Sequence, residues 1–395
     1  MNPINRYIAR KSARPLPWAE TLTGGVAVMA MLVLAGCGST GGGTSAPGAS
    51  GSASESSAST VAMEEVLNQE FELPYPDAPT TLKGDRQISY IIGGFAAGGA
   101  SEVAQERKLI LEKSGWTVEG PLDGEFTPSA QATLIQQAVL KGVDGIVLDF
   151  IFPSQVSAAV DSARKAGIPI VCNLCAPEKS SEGVHIVGTD VETVAKQQIP
   201  LVLAAVNKPD ATIAVVTDSG NAIVDAANKV QIPMLKEMCS GCKVVEVTYT
   251  LADLANPVAA SYANMLRQYP KGSLDAVITP FTAAATPLIR LAEQSGRDDF
   301  KIINTYGDAP ASTQIKEGQH FPLLFGDVML SQAFISYADV DILGRAFNGD
   351  AVVEYDALPV APITRQNADK FVNESGRWVP EGLEEKFFKV WGMNS

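Results

Sequence analysis

The side chains able to do chemistry in this 395-residue chain sit in short loops, each just after an apolar run. In the first half, Phe95 follows Ile88–Ile92, Asp149 and Phe152 follow Gly145–Leu148, and Asn173 follows Ile168–Val171. In the second half, Asp218 and Asn221 follow Thr212–Val216, and Phe281 follows the run that starts at Ala276. Tyr306 and Asp308 follow Lys301–Ile303, and Asp327 follows Phe321–Phe325. Carboxylates, amides and aromatic rings grouped in this way suit non-covalent capture of a small molecule by hydrogen bonds and stacking. Each residue also has a plainer role open to it, as a helix cap or in packing.

Catalytic alternatives have less support. The chain has two histidines, His185 and His320, with no H-x-x-H spacing and no G-x-S-x-G elbow. Asp149, Asp308 and Asp327 could still converge for acid–base work. The loop Gly93-Gly94-Phe95-Ala96-Ala97-Gly98-Gly99 lacks both the G-x-G-x-x-G pattern and a P-loop lysine. Its small residues are expected to let a ligand or the other lobe approach the backbone closely.

Positioning these residues falls to alternating strands and helices. Gly145–Leu148 is short and uniformly apolar, as in a strand buried on both faces of a parallel sheet. Val156, Ala159, Val160 and Ala163 recur at helical spacing, Gly167 stops that helix, and Ile168–Val171 forms the next strand. Right-handed crossovers bring both strand ends to one sheet edge, where open α/β sheets bind ligands. The unit has an echo: Lys141-Gly142-Val143-Asp144-Gly145 is matched by Lys271-Gly272-Ser273-Leu274-Asp275, with strands and helices in the same order around both. The fold class is therefore α/β, with two doubly wound parallel-sheet lobes. Thr189-Asp190 is expected to cap a long helix from Val191, and Asn207–Asp210 reads as a hinge.

Residues 1–36 read as an export signal: a basic start (Arg6, Arg10, Lys11, Arg14), then an apolar run shorter than the roughly 20 residues needed to span a bilayer. Leu34-Ala35-Gly36-Cys37 is similar to the lipobox of bacterial lipoproteins, which implies lipidation at Cys37. An uncleaved anchor is the alternative. Residues 37–62 form a Gly/Ser-rich tether with a mean reach of about 25–30 Å, keeping the folded part near the outer face of the cytoplasmic membrane. The formal net charge of −14 argues against nucleic acid as a partner. The four cysteines after Cys37 form two C-x-x-C pairs, Cys172/Cys175 and Cys239/Cys242, and in an exported chain these default to local disulfides. A shared zinc site or a redox motif is the other reading.

Signal, tether and two lobes together resemble the type I periplasmic-binding-protein superfamily, in particular the ribose-binding-like, sugar-type substrate-binding proteins of ABC importers. The phrases that carry the likeness are Gly142-Val143-Asp144-Gly145-Ile146-Val147, Ala166-Gly167-Ile168-Pro169-Ile170-Val171, Val187-Gly188-Thr189-Asp190, Ile315-Lys316-Glu317-Gly318 and Phe388-Lys389-Val390-Trp391-Gly392. The resemblance implies a monomer without cofactor or metal, closing on a small molecule and docking on an ABC permease. A ligand sensor for a signalling partner is the alternative. It also implies a three-crossing hinge, placed near Asn207, near Ile303–Gly307 and near Phe325–Val328. The N-terminal lobe would then hold 84–207 and 305–327, and the C-terminal lobe 208–304 and 328–363, with 364–395 as a tail packing on the lobes.

The contact positions depart from the family pattern. Pro280-Phe281 stands where the family usually has Asn-Asp, and Asn304-Thr305-Tyr306-Gly307 fills the Gly-Phe-Asp-Gly frame. Asn228 or Lys229 replaces the family's arginine, and Asp149-Phe150 its Asn-Pro. A less hydroxylated or partly apolar ligand is expected; a loop register shifted by one or two residues is the alternative.

Overall fold

The computed structural model describes residues 61–95, 100–255, 260–307 and 309–393. The expected signal, Cys37, nearly all of the tether, the small residues 96–99 and Asp308 lie outside the described residues. In chain order the elements are α1 (Met63–Leu67), β1 (Gln87–Ile92), α2 (Ala100–Lys113), β2 (Thr117–Asp123), α3 (Pro128–Lys141), β3 (Gly145–Asp149), α4 (Ser157–Lys165), β4 (Ile170–Asn173) and β5 (Val184–Val187). Next come α5 (Val191–Val206), β6 (Thr212–Thr217), α6 (Ala222–Met238), β7 (Lys243–Thr248), α7 (Ala260–Gln268), β8 (Ala276–Ile278), α8 (Thr282–Gln294), β9 (Lys301–Thr305), α9 (Ala309–Glu317) and β10 (Leu324–Met329). The chain closes with α10 (Gln332–Asn348), β11 (Ala361–Thr364), α11 (Ala368–Phe371) and α12 (Leu383–Trp391).

Local chemistry accounts for these boundaries. Every residue of β3 is buried, as its unbroken apolar run requires. Gly142 ends α3 in the left-handed conformation (φ 68°), its N–H donating to Ala138 and Val139 carbonyls. The Asp190 carboxylate accepts from the Thr193 N–H at 2.8 Å and so starts α5. Asn221 and Ser331 cap α6 and α10 in the same way.

Two sheets result. The first is wholly parallel, in the order β2-β1-β3-β4-β5. The second runs β7-β6-β8-β9-β10, also parallel, with β11 added antiparallel beside β10. The first five strands of both sheets follow one order, so the internal echo is a true repeat of topology.

The lobe boundaries read from sequence need correction. Strand β10, including Asp327, pairs with β9 and belongs to the second sheet rather than the N-terminal lobe. Helix α5, placed in the first lobe, packs on β8, β9, β10 and α6 of the second. Helix α10, placed in the second, packs on β4, β5 and α2 of the first. The crossings accordingly fall between Val187 and Val191, between Met329 and Gln332, and between Tyr355 and Ala361. Two of them are tied together: the Gly188 N–H donates to the Tyr355 carbonyl at 2.8 Å, and the Leu358 N–H donates to the Gly188 carbonyl at 2.7 Å. Tyr355 also forms an isolated parallel bridge to Val187.

Both ends of the described chain also pass from lobe to lobe. Helix α1 lies on α5, and Phe71 packs with Phe371 and Trp378 on the second lobe, whereas Tyr75 packs with Phe334 and Phe387 on the first. The tail runs back the same way, α11 lying on α9 and α12 on α10. Arg377, from the tail beside α9, pairs with Glu106 of α2. One apolar cluster, from Ile88 and Tyr90 of β1 through α5 and α10 to Ile213 and Val215 of β6, is continuous across both lobes. The cysteines are bonded as Cys172–Cys175, at the end of β4, and Cys239–Cys242, between α6 and β7, one pair in each lobe.

Candidate functional site

The first sheet changes winding direction between β1 and β3, and the second between β6 and β8. Such switch points open a crevice beyond the strand C-termini. A cleft of about 340 Å³ lies there, lined from both lobes. Ile92 and Asp149, register partners at the ends of β1 and β3, form part of one wall. Val216, Ile278 and Tyr306, at the ends of β6, β8 and β9, form part of the other.

Five of the ten residues chosen from sequence line this cleft: Asp149, Phe152, Asn221, Phe281 and Tyr306. Asn173, Asp218 and Asp327 instead lie behind its walls, because each is used by the protein. Asn173 sits beside Asp149 in register and donates through Nδ2 to Asp149 Oδ1 (2.8 Å) and Asp339 Oδ2 (3.0 Å). Asp218 accepts from the Gly220 N–H at 2.9 Å and shapes its own turn. Asp327 is fully buried, accepting from Asn304 Nδ2 at 2.7 Å and from the Gly307 N–H at 3.0 Å. A Cβ at position 307 would fall 2.3 Å from Asp327 Oδ2, so glycine is required there. Phe95 packs half-buried on the core, and Asp308 lies outside the described residues.

The floor beneath Asp149 is a buried polar network. Arg107 of α2 places Nη1 2.9 Å from Asp149 Oδ1 and 3.5 Å from Asp339 Oδ2, and its Nη2 donates to Gln332 Oε1 at 3.0 Å. The Tyr90 hydroxyl donates to Asp149 Oδ2. Burial pushes the Tyr90 phenol well above its ordinary range, helped by the Asp149 charge, so it stays a donor. Burial works against the Arg107 cation, but Asp149, Tyr90 and Asp339 together hold its pKa above the ordinary value. Burial raises Asp339 to about 8, with the Arg107 cation opposing and Asp149 reinforcing the shift. The rise favours the protonated acid at Asp339, beside the Arg107–Asp149 ion pair.

The rest of the lining is apolar or amide, with the hydroxyls of Thr282, Thr305 and Tyr306. Phe126, Phe150 and Leu254 were not among the residues chosen from sequence, nor were Gln131, Gln155 and Gln332. Phe126 (φ 51°), Phe150 (φ 56°) and Tyr306 (φ 54°) all adopt left-handed backbone, a costly state for bulky residues and one that concentrates at functional sites. Gly94 makes room for one of them: a Cβ there would fall 2.4 Å from the Phe126 ring. Gly93 admits the Phe150 carbonyl, which a Cβ would meet at 2.8 Å. These two glycines thus serve close packing within their own lobe. Among the described residues Asp149 is the one carboxylate in the lining, which has no Lys, Arg or His.

A family model described as a periplasmic binding protein domain matches residues 97–321, more than half of the chain, and the chain belongs to that family. Solved structures share the fold. An ABC transporter solute-binding protein from Agrobacterium vitis with bound allitol is 14% identical with a TM-score of 0.63, over 73% of this chain and 98% of that one. One from Bacillus halodurans with bound myo-inositol is 18% identical with a TM-score of 0.61, over 73% and 97%. A 5-methylthioribose transporter solute-binding protein from Thermotoga lettingae, in complex with 5-methylthioribose, is 18% identical with a TM-score of 0.62, over 79% and 100%.

Proposed function

We propose that this protein is the substrate-binding component of an ABC importer, held outside the cytoplasmic membrane by lipid on Cys37. It captures a small sugar-like or more apolar molecule between its lobes and presents it to a membrane permease. The observation that carries this reading is the cleft itself, of about 340 Å³, formed by the strand C-termini of two sheets joined by several crossings. A ligand there touches both lobes only when they are closed, so binding shifts the population towards closure, and the closed form is what a permease would recognise. The bound allitol, myo-inositol and 5-methylthioribose of the fold's relatives support this use of the cleft. Both oxygens of Asp149 are engaged within the protein, by Tyr90, Arg107 and Asn173. The protein acts as a monomer, tethered by its Gly/Ser-rich leader segment.

Two measurements test this. A soluble form starting at Thr60 should become more compact in small-angle scattering when a ligand saturates it; binding without any change in dimensions would argue against hinge closure. In the source cell, Cys37→Ala should move the protein from the membrane fraction to the soluble fraction; retention in the membrane would refute lipid anchoring.

A further inference from the structure

Three rings of the cleft differ from the aromatics carried by α10 and α12. Tyr75, Phe334, Tyr337, Phe387 and Trp391 pack ring against ring in the core beneath α10 and α12. Phe126 and Phe150 from the first lobe and Phe281 from the second have no ring partner among the described residues, and none of the three is fully buried. Phe150 is 37% exposed, one of the few large apolar side chains left so open. Holding an exposed ring on left-handed backbone costs stability twice, through strain and through hydration of apolar surface.

The polar side chains of the lining are Asp149, six amides, two threonines and Tyr306, and most are partly used within the protein. Asn221 Oδ1 caps α6, Asn228 Nδ2 donates to the Val216 carbonyl, and Gln332 Oε1 accepts from Arg107. Each of these amides has only its other end left for a ligand. Asp149 is neutralised by its own network. A polyol with a hydroxyl on every carbon would leave several of them desolvated and unpaired here, whereas a flat apolar body would cover rings that are otherwise wet.

We infer that the cleft takes an uncharged ligand with a flat, aromatic or aliphatic-ring body and few hydroxyls, gripped between Phe126 and Phe150 on one side and Phe281 and Leu254 on the other. The inference rests on the binding-protein reading and deepens it by naming the ligand class.

The test is calorimetric titration of the soluble form with three sets of probes. Neutral aromatics are represented by thymidine and vanillyl alcohol, hydroxyl-rich compounds by ribose, glucose, allitol and myo-inositol, and charged aromatics by benzoate and phenethylammonium. Saturable binding is expected from a neutral aromatic, at least tenfold tighter than from any probe of the other two sets. Phe126→Ala and Phe281→Ala should each weaken it at least tenfold, with circular dichroism reporting an intact fold. Tightest binding by a polyol or free sugar would overturn the inferred class while leaving the binding-protein reading in place, and so would tightest binding by benzoate or phenethylammonium. Unchanged affinity in folded Phe126→Ala and Phe281→Ala would overturn the placement between these rings. Absence of saturable binding by every probe would count against both the class and the binding-protein reading.

Discussion

Arg107 Nη1 lies 2.9 Å from Asp149 Oδ1 with both side chains almost wholly buried, 1% and 3% exposed. Charges held so far from water depend on each other. Arg107→Met should destabilise the protein by about 3–5 kcal/mol, because it strands the Asp149 carboxylate in the floor of the cleft. Adding Asp149→Asn to that variant should recover part of the loss, since the stranded charge is gone. A double-mutant cycle from urea unfolding would measure this; additive losses would mean that the pair is not coupled.

Asp339 supplies a pH dependence. Its folded pKa, near 8, lies above the ordinary carboxylate value of about 3.9, so between these limits the folded state binds more protons than the unfolded state. Raising the pH through that window therefore costs stability, and lowering it restores stability. The melting temperature should fall between pH 5 and 8 as the acid beside Arg107, Asp149 and Asn173 is forced to ionise. Asp339→Asn should flatten this slope. An equal slope in the variant would show that other groups carry the pH dependence.

Phe150 exchanges stability for binding. Its backbone sits at φ 56°, where glycine carries no steric penalty. Phe150→Gly should leave stability unchanged or raise it by up to about 1 kcal/mol, while weakening ligand binding about three- to tenfold through loss of the aromatic face. Thermal unfolding with and without ligand separates the two effects. A large fall in stability without ligand would make Phe150 a core residue instead.

The C-terminal helix is part of the first lobe's core. Trp391 is buried, its Nε1 donates to Asp341 Oδ1 at 3.0 Å, and its ring packs on Tyr337 and Phe387. Trp391→Ala should cost about 3–5 kcal/mol, in the range for deleting a large buried aromatic. Denaturant titration checks the value, and a loss below about 1 kcal/mol would mean that α12 is only loosely docked.

Much of this protein is legible without coordinates. The unbroken apolar run of β3, the Asp190 cap and the Gly142 stop are local features, set by residues a few positions apart, and they placed most of the strands and helices. Their recurrence in one order implied two lobes of one topology, and strand C-termini pointed to the cleft edge that holds Asp149, Phe281 and Tyr306. Tertiary structure alone decided which sheet β10 joins and which lobes α5 and α10 cover, because pairing of Asp327 with Asn304 and burial of α10 are contacts between distant segments. It also decided which strand-end side chains line the cleft. Asn173 and Asp327 have the same chemistry as good contact residues, but Asp149 and Asp339 claim one, and Asn304 and Gly307 the other. The left-handed backbone at Phe126 and Phe150 has no local signature: it goes with the space that Gly94 and Gly93 leave in the loop after β1.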